Sequence, residues 1–304
     1  MLVWLHWRKI LNLLEKVIGK LGAAFLTVVN SIEFNRVIKN RFSSNLIDLL
    51  VYSYWLKLSE TDHFLVEKIE RLRYRTRNAF LNENVVTYTS PKSGEPLFEE
   101  NGAVKVGEKN YSAKGSFAKT GTGPKTGIQL KKVTEAFFAK DIIELGTNTG
   151  LSGCYFLSAK HQPHLTTVEG SEQLCSIAEK NLSEVSKNFE VINGMFDLIL
   201  DQLILANRKF DLAFIDGQHE EKATIHYSNK LKKLLHPNGI IVFDDIFWSE
   251  GMHRAWEHIK GDADFDMIIG LRTRGIARFS TLSEKSIFEM TYYTGQQEYY
   301  RKGH

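Results

Sequence analysis

From about residue 127 to residue 281 the chain repeats one unit: a short apolar run, then a longer segment with apolar residues three and four apart. The runs are 141–145 (DIIEL), 165–169 (LTTVE), 189–193 (FEVIN), 210–216 (FDLAFID) and 239–245 (GIIVFDD). The segments between them have helical length and periodicity. Such alternation predicts parallel strands joined by crossover helices, a sheet covered on both faces. Two further runs, FDMIIGL (265–271) and GIARFS (275–280), lie too close for a crossover helix and are expected to pair as a hairpin. The predicted fold is therefore α/β: a Rossmann-like, doubly wound, mostly parallel sheet of seven strands with a C-terminal antiparallel hairpin.

The rest of the chain divides around this core. Residues 1–82 have few breakers and read as a helical region for packing, oligomerisation or capping of a substrate site. Residues 83–127 are dense in Gly, Ser, Lys and Pro and read as a flexible loop or lid. The core domain is placed at 128–281 and a tail at 282–304. In the first segment Val3, Trp7, Ile10, Leu14, Val17 and Leu21 recur at helical spacing. The interruptions Arg8, Lys9, Glu15, Lys16 and Lys20 leave no apolar window of the roughly 20 residues that a membrane span needs. This helix is expected to pack on its own protein or on a second copy in a homodimer, with a membrane-surface role as the sharper alternative.

Composition excludes some functions. Lys and Arg number 39 against 36 Asp and Glu, a balance too even to point to nucleic acid. The two cysteines, Cys154 and Cys175, form no CxxC or zinc spacing and read as buried free thiols, suited to a cytoplasmic protein. The stretch GTGPKTG (121–127) lacks the spacing of a phosphate loop.

In open α/β sheets ligands bind outside the carboxyl ends of the strands. Glu144, Glu169, Asp216, Asp244 and Asp245 all fall at such ends. One strand-end acid is often a helix cap, but five on one edge point to a ligand site. Gly146 and Gly150 let the backbone turn tightly and approach a ligand at a helix start. Glu169 closes a second strand about twenty residues later, where an acid can bond both hydroxyls of a ribose. A nicotinamide site would want G-x-G-x-x-G, and position 148 is Asn. Asp216 capping the turn DGQH and Asp245 capping the next helix remain the structural alternatives.

ELGTNTG, TTVEGSEQL, FDLAFIDGQH and GIIVFDDIFW together resemble the class I S-adenosylmethionine-dependent methyltransferases, most closely the metal-dependent small-molecule O-methyltransferases of the catechol and macrolide-sugar types. The resemblance covers about 130–280 and does not reach the first 110 residues. It implies a cofactor loop of Glu144, Gly146 and Gly150, with Asn148 and Ser152 near the methionine end. It implies Glu169 at the ribose, Gly170 and Met195 or Phe196 flanking the adenine, and Asp197 at its amino group. Asp216, counted with both the cofactor and the catalytic groups, joins Asp244 and Asp245 as ligands of a divalent cation, Mg²⁺ by default for oxygen donors. His219 stands where the catechol type carries a lysine base; base, metal ligand and plain loop residue all stay open. The expected activity is metal-assisted O-methylation of a small-molecule hydroxyl. Metal-independent N-, C- or protein methylation on the same fold is the alternative. The missing glycine and the terminal hairpin argue against a nicotinamide dehydrogenase, and the intact acid set argues against a binding module without activity.

Overall fold

A computed structural model describes residues 44–80, 84–89, 96–112, 121–271, 273–280 and 288–292. The expectations for the first helix, its membrane contact and the dimer rest on residues outside this set. Residues Asn45–His304 form one compact unit. Among the described residues no helix is long and apolar enough to cross a membrane.

The chain enters through α1 (Ser44–Trp55) and α2 (Glu60–Ala79). Ser59 starts α2 with a capping box: its hydroxyl accepts the Asp62 N–H, and the Asp62 carboxylate accepts the Ser59 N–H. An antiparallel ribbon follows, β1 (Asn84–Thr89) with β2 (Gly107–Ser112). Strands therefore occur inside the segment read as a loop. Then comes α3 (Pro124–Ala136), opened by a proline whose missing N–H costs nothing at that position.

The main sheet is built from β3 (Asp141–Leu145), β4 (His164–Glu169), β5 (Phe189–Asn193), β6 (Phe210–Ile215), β7 (Leu235–Phe243), β8 (Phe265–Leu271), β9 (Arg274–Phe279) and β10 (Phe288–Tyr292). Its order is β10-β8-β9-β7-β6-β3-β4-β5, and β9 alone runs against its neighbours. The seven expected strands are present, with β10 added from the stretch read as a tail. β3 pairs with β4 on one side and β6 on the other, so the chain changes direction across the sheet at β3. That switch point is where such sheets open a crevice. The central strands are apolar nearly throughout because helices cover both faces.

The crossover helices are α4 (Leu151–Leu157), α5 (Glu172–Ser183), α6 (Phe196–Leu205), α7 (Glu221–Lys232) and α8 (Glu250–Lys260). In α8 Met252, Ala255, Trp256 and Ile259 are buried at helical spacing. Trp256 lies against Gly275 of β9, where any Cβ would overlap the indole. HPNG (236–239) loops out within β7: Leu235 pairs with Phe210, and pairing resumes at Ile240 with Leu212. Cys154 and Cys175 are buried free thiols in α4 and α5.

Candidate active site

A cavity of about 540 Å³ opens at the carboxyl ends of β3, β4, β5 and β6. The turn after β3 forms its floor. Gly146 has φ +104, and a Cβ there would overlap the Asp216 carbonyl, because the Asp216 N–H is itself bonded to Leu145 O at 3.0 Å. The glycine is thus required by the closeness of β3 and β6 before any ligand is considered. Asn148, also left-handed at φ +49, presents its N–H to Glu169 Oε2 at 2.9 Å. The Ser171 N–H reaches Glu169 Oε1 at 3.1 Å. Both oxygens of Glu169 are therefore fixed from behind while the carboxylate borders the cavity. Burial raises its pKa, and the backbone donors oppose that rise.

Gly170, Met195, Phe196 and Asp197 also line the cavity. Phe196, the first residue of α6, meets the Tyr227 ring edge-on with centroids 5.5 Å apart. Tyr88 of β1 lies against Gly170, its ring 2.7 Å from where a Cβ would stand. The near wall is a small hairpin, residues 97–105, turned by Asn101 and Gly102 at φ +82. Its Val104 N–H reaches Asp197 Oδ2 at 2.8 Å, and Gln218 Nε2 reaches the Lys105 carbonyl at 3.2 Å.

The expectations for Glu144, Ser152, Gly150 and Asp197 are corrected here. Glu144 does not reach the cavity: it is fully buried, accepting hydrogen bonds from the Ser152 and Thr167 hydroxyls, the latter at 2.7 Å. Ser152 is spent on that bond. Gly150, at φ +77, packs against Ala178 rather than bordering the cavity. Burial pushes Glu144 up to about 7, although both hydroxyls oppose the shift. Asp197 lines the cavity, but its carboxylate is already taken by Val104, His226 and Lys230, the last two at 2.6 Å. Burial works against its charge, yet Lys230, Val104 and His226 together hold its pKa below the ordinary value.

A further correction concerns Asp216, Asp244 and Asp245. Asp216 follows β6 and Asp244 follows β7, and the Asp244 N–H donates to Ile215 O at 3.0 Å, so the strand ends do bring them together. Asp244, however, is buried against an arginine. Its Oδ2 lies 3.0 Å from Arg274 Nη2, and its Oδ1 accepts the Asp245 N–H at 2.9 Å. Asp216 and Asp245 instead flank His219, whose Nε2 is 3.8 Å from Asp216 Oδ1 and 3.9 Å from Asp245 Oδ2. Both contacts are longer than hydrogen bonds. His219 and Asp216 line the cavity. Burial, then the neighbouring Asp244, raise the pKa of both Asp216 and Asp245, well above the ordinary range for Asp216. Among the described residues no group of three or more His, Cys, Asp or Glu side chains is arranged to hold a metal ion.

Residues 143–246 match a family model described as a methyltransferase domain. A protein of Mycolicibacterium vanbaalenii that carries an O-methyltransferase name is 29% identical over 123 residues, 39% of this chain and 53% of that protein. The match to a protein of the same name in Mycobacterium avium has the same identity and length and covers 54% of it. The chain thus aligns with about half the length of these relatives. Among solved structures, an O-methyltransferase from Bacillus cereus in complex with SAH is similar at 18% identity and TM-score 0.49, over 77% of this chain and 97% of that one. TomG, an O-methyltransferase from Streptomyces achromogenes in complex with SAM, gives 21% identity and TM-score 0.45, over 53% of this chain and 82% of that one.

Proposed function

With a methyltransferase domain at residues 143–246 as the premise, we propose that this chain transfers a methyl group from S-adenosylmethionine to a hydroxyl of a small molecule. The observation that carries the reading is a single cavity bordered by the held carboxylate of Glu169 and by His219, over the sheet's switch point. Glu169, fixed by two backbone N–H groups, is suited to accept from the vicinal hydroxyls of a ribose. Tyr88, Met195 and Phe196 line the same cavity and supply apolar surface suited to a purine. The turn at Gly146 brings backbone close to the methionine portion.

When bound, the donor supplies a methyl carbon on a sulfonium. As the C–S bond breaks and the C–O bond forms, the acceptor's proton needs a base. His219 Nε2 receives it in this reading, and Asp245, with Oδ2 at 3.9 Å, stabilises the resulting imidazolium. Positive charge thus leaves the sulfonium and ends on His219. The divalent cation expected on Asp216, Asp244 and Asp245 does not fit the residues as a set, since Arg274 already neutralises Asp244. No step here runs through it. Methylation of nitrogen, carbon or protein is the alternative, and a base placed to take an acceptor's proton favours oxygen.

Calorimetry with S-adenosylhomocysteine tests the reading. Wild type is expected to bind in the micromolar range. Glu169→Ala is expected to weaken binding by about 10- to 100-fold, the worth of hydrogen bonds to a charged group. No heat from the wild type at high micromolar ligand, or equal affinity in the variant, would remove it.

A further inference from the structure

We infer that Arg274 is the built-in cation of this acidic cluster, holding Asp244 where a divalent ion would otherwise be needed. The inference rests on the methyl-transfer reading of the cavity and adds what balances the charge beside it. Arg274 is 3% exposed and Asp244 is 7% exposed, so the pair is shielded from water and salt. A guanidinium keeps its charge at any physiological pH. Its Nη1 is steadied by Gln129 Oε1 at 3.3 Å, and Gln129 Nε2 in turn donates to Ser53 Oγ at 2.8 Å. The side chain is therefore held by α1 and α3 as well as by the acid.

Strand direction explains how it gets there. β9 runs antiparallel to β7, with Gly275 opposite Phe243, so the residue before Gly275 faces the residue after Phe243. Those residues are Arg274 and Asp244. An incoming ion would have to displace a buried guanidinium that has no water to move into. It would also compete for Asp244 Oδ1, which already accepts the Asp245 N–H at 2.9 Å. Mg²⁺ needs several oxygen donors and gives up water reluctantly, so the two remaining partly buried carboxylates beside His219, Asp216 and Asp245, are a poor substitute.

Electron paramagnetic resonance of Mn²⁺ reads this without any methyl acceptor. Wild type is expected to leave the free-ion signal unchanged at millimolar Mn²⁺. Arg274→Gln, which frees Asp244, should remove one equivalent of signal, and Arg274→Lys should behave as wild type. Adding Asp244→Asn to Arg274→Gln should abolish the gained site. Wild type that takes up Mn²⁺ overturns the inference, as does a folded Arg274→Gln that ignores the ion as wild type does. Should Arg274→Gln fail to fold, the wild-type titration decides alone. Parallel calorimetry with S-adenosylhomocysteine, with and without chelator, separates the two readings: Mn²⁺ uptake alongside chelator-sensitive binding sinks the inference only, while absent binding sinks the function.

Discussion

Glu144 looks from the sequence like the first contact of a ligand, and it is a buried group serving the fold. An acid at the end of a buried strand requires partners, but sequence alone does not say whether they come from a ligand or from the chain. Here they are Ser152, eight residues on, and Thr167 in the neighbouring strand. The consequence is a pH dependence. Glu144 holds its proton up to about pH 7 when folded and releases it near its ordinary 4.5 when unfolded. Between those values the native chain carries a proton the unfolded chain has lost. Stability therefore falls as pH rises through this window, by about 3 kcal/mol, and this contribution is flat above it. Glu144→Gln keeps an acceptor and lacks the titration, so it should gain on wild type between about pH 5 and about pH 8. Urea unfolding at both pH values measures the gain, and parallel curves for the two proteins would refute it. Glu169 was legible for a better reason: its place at the second strand end follows from chain spacing alone, whereas the partners of Glu144 and Asp197 depend on packing.

Among the elements, the hairpin at 97–105 was hidden in a stretch whose composition suggested a loop. A signal was present: Asn101-Gly102, the strongest short turn dipeptide, sits between Leu97-Phe98 and Ala103-Val104. The hairpin is tied to the domain through Asp197, so Asp197→Ala should loosen the near wall of the cavity. Hydrogen exchange at the Val104 amide should speed up, and stability should drop by about 2–3 kcal/mol as the Val104 N–H and His226 lose their acceptor, while Lys230 keeps Asp201 at 2.7 Å. Unchanged exchange at Val104 would show the hairpin held by its other contacts. Arg274 was missed at the same scale. Pairing the last two runs as a hairpin is legible from their spacing. That β9, rather than β8, lies beside β7 is a matter of strand order, and only that order brings Arg274 to Asp244.

Across the whole molecule, the parallel sheet and its crevice were legible because buried parallel strands must be apolar and crossover helices must be amphipathic. The attachment of α1 was not, since a helical period shows which face is apolar and not what covers it. Leu46, Leu49 and Leu50 are buried, and two contacts reach α3: Tyr52 donates to the Lys125 carbonyl at 2.8 Å, and Asp48 pairs with Lys132 at 2.6 Å. Leu49→Ala should therefore cost about 2–4 kcal/mol, a core truncation rather than a surface change. Thermal unfolding by circular dichroism is expected to show one transition at lower temperature; a loss under about 0.5 kcal/mol would mean α1 is only loosely docked. The reversed strand has a further consequence, for synthesis. β7 is complete by Phe243, yet the partner on its outer side, β9, is made only after β8 has passed. Until then Ile240–Phe243 is an apolar edge with unpaired backbone groups, open to pairing with another chain. A nascent chain that has emerged from the ribosome only as far as about Lys260 accordingly exposes this edge, and a chaperone holding it there would shield the edge from other chains.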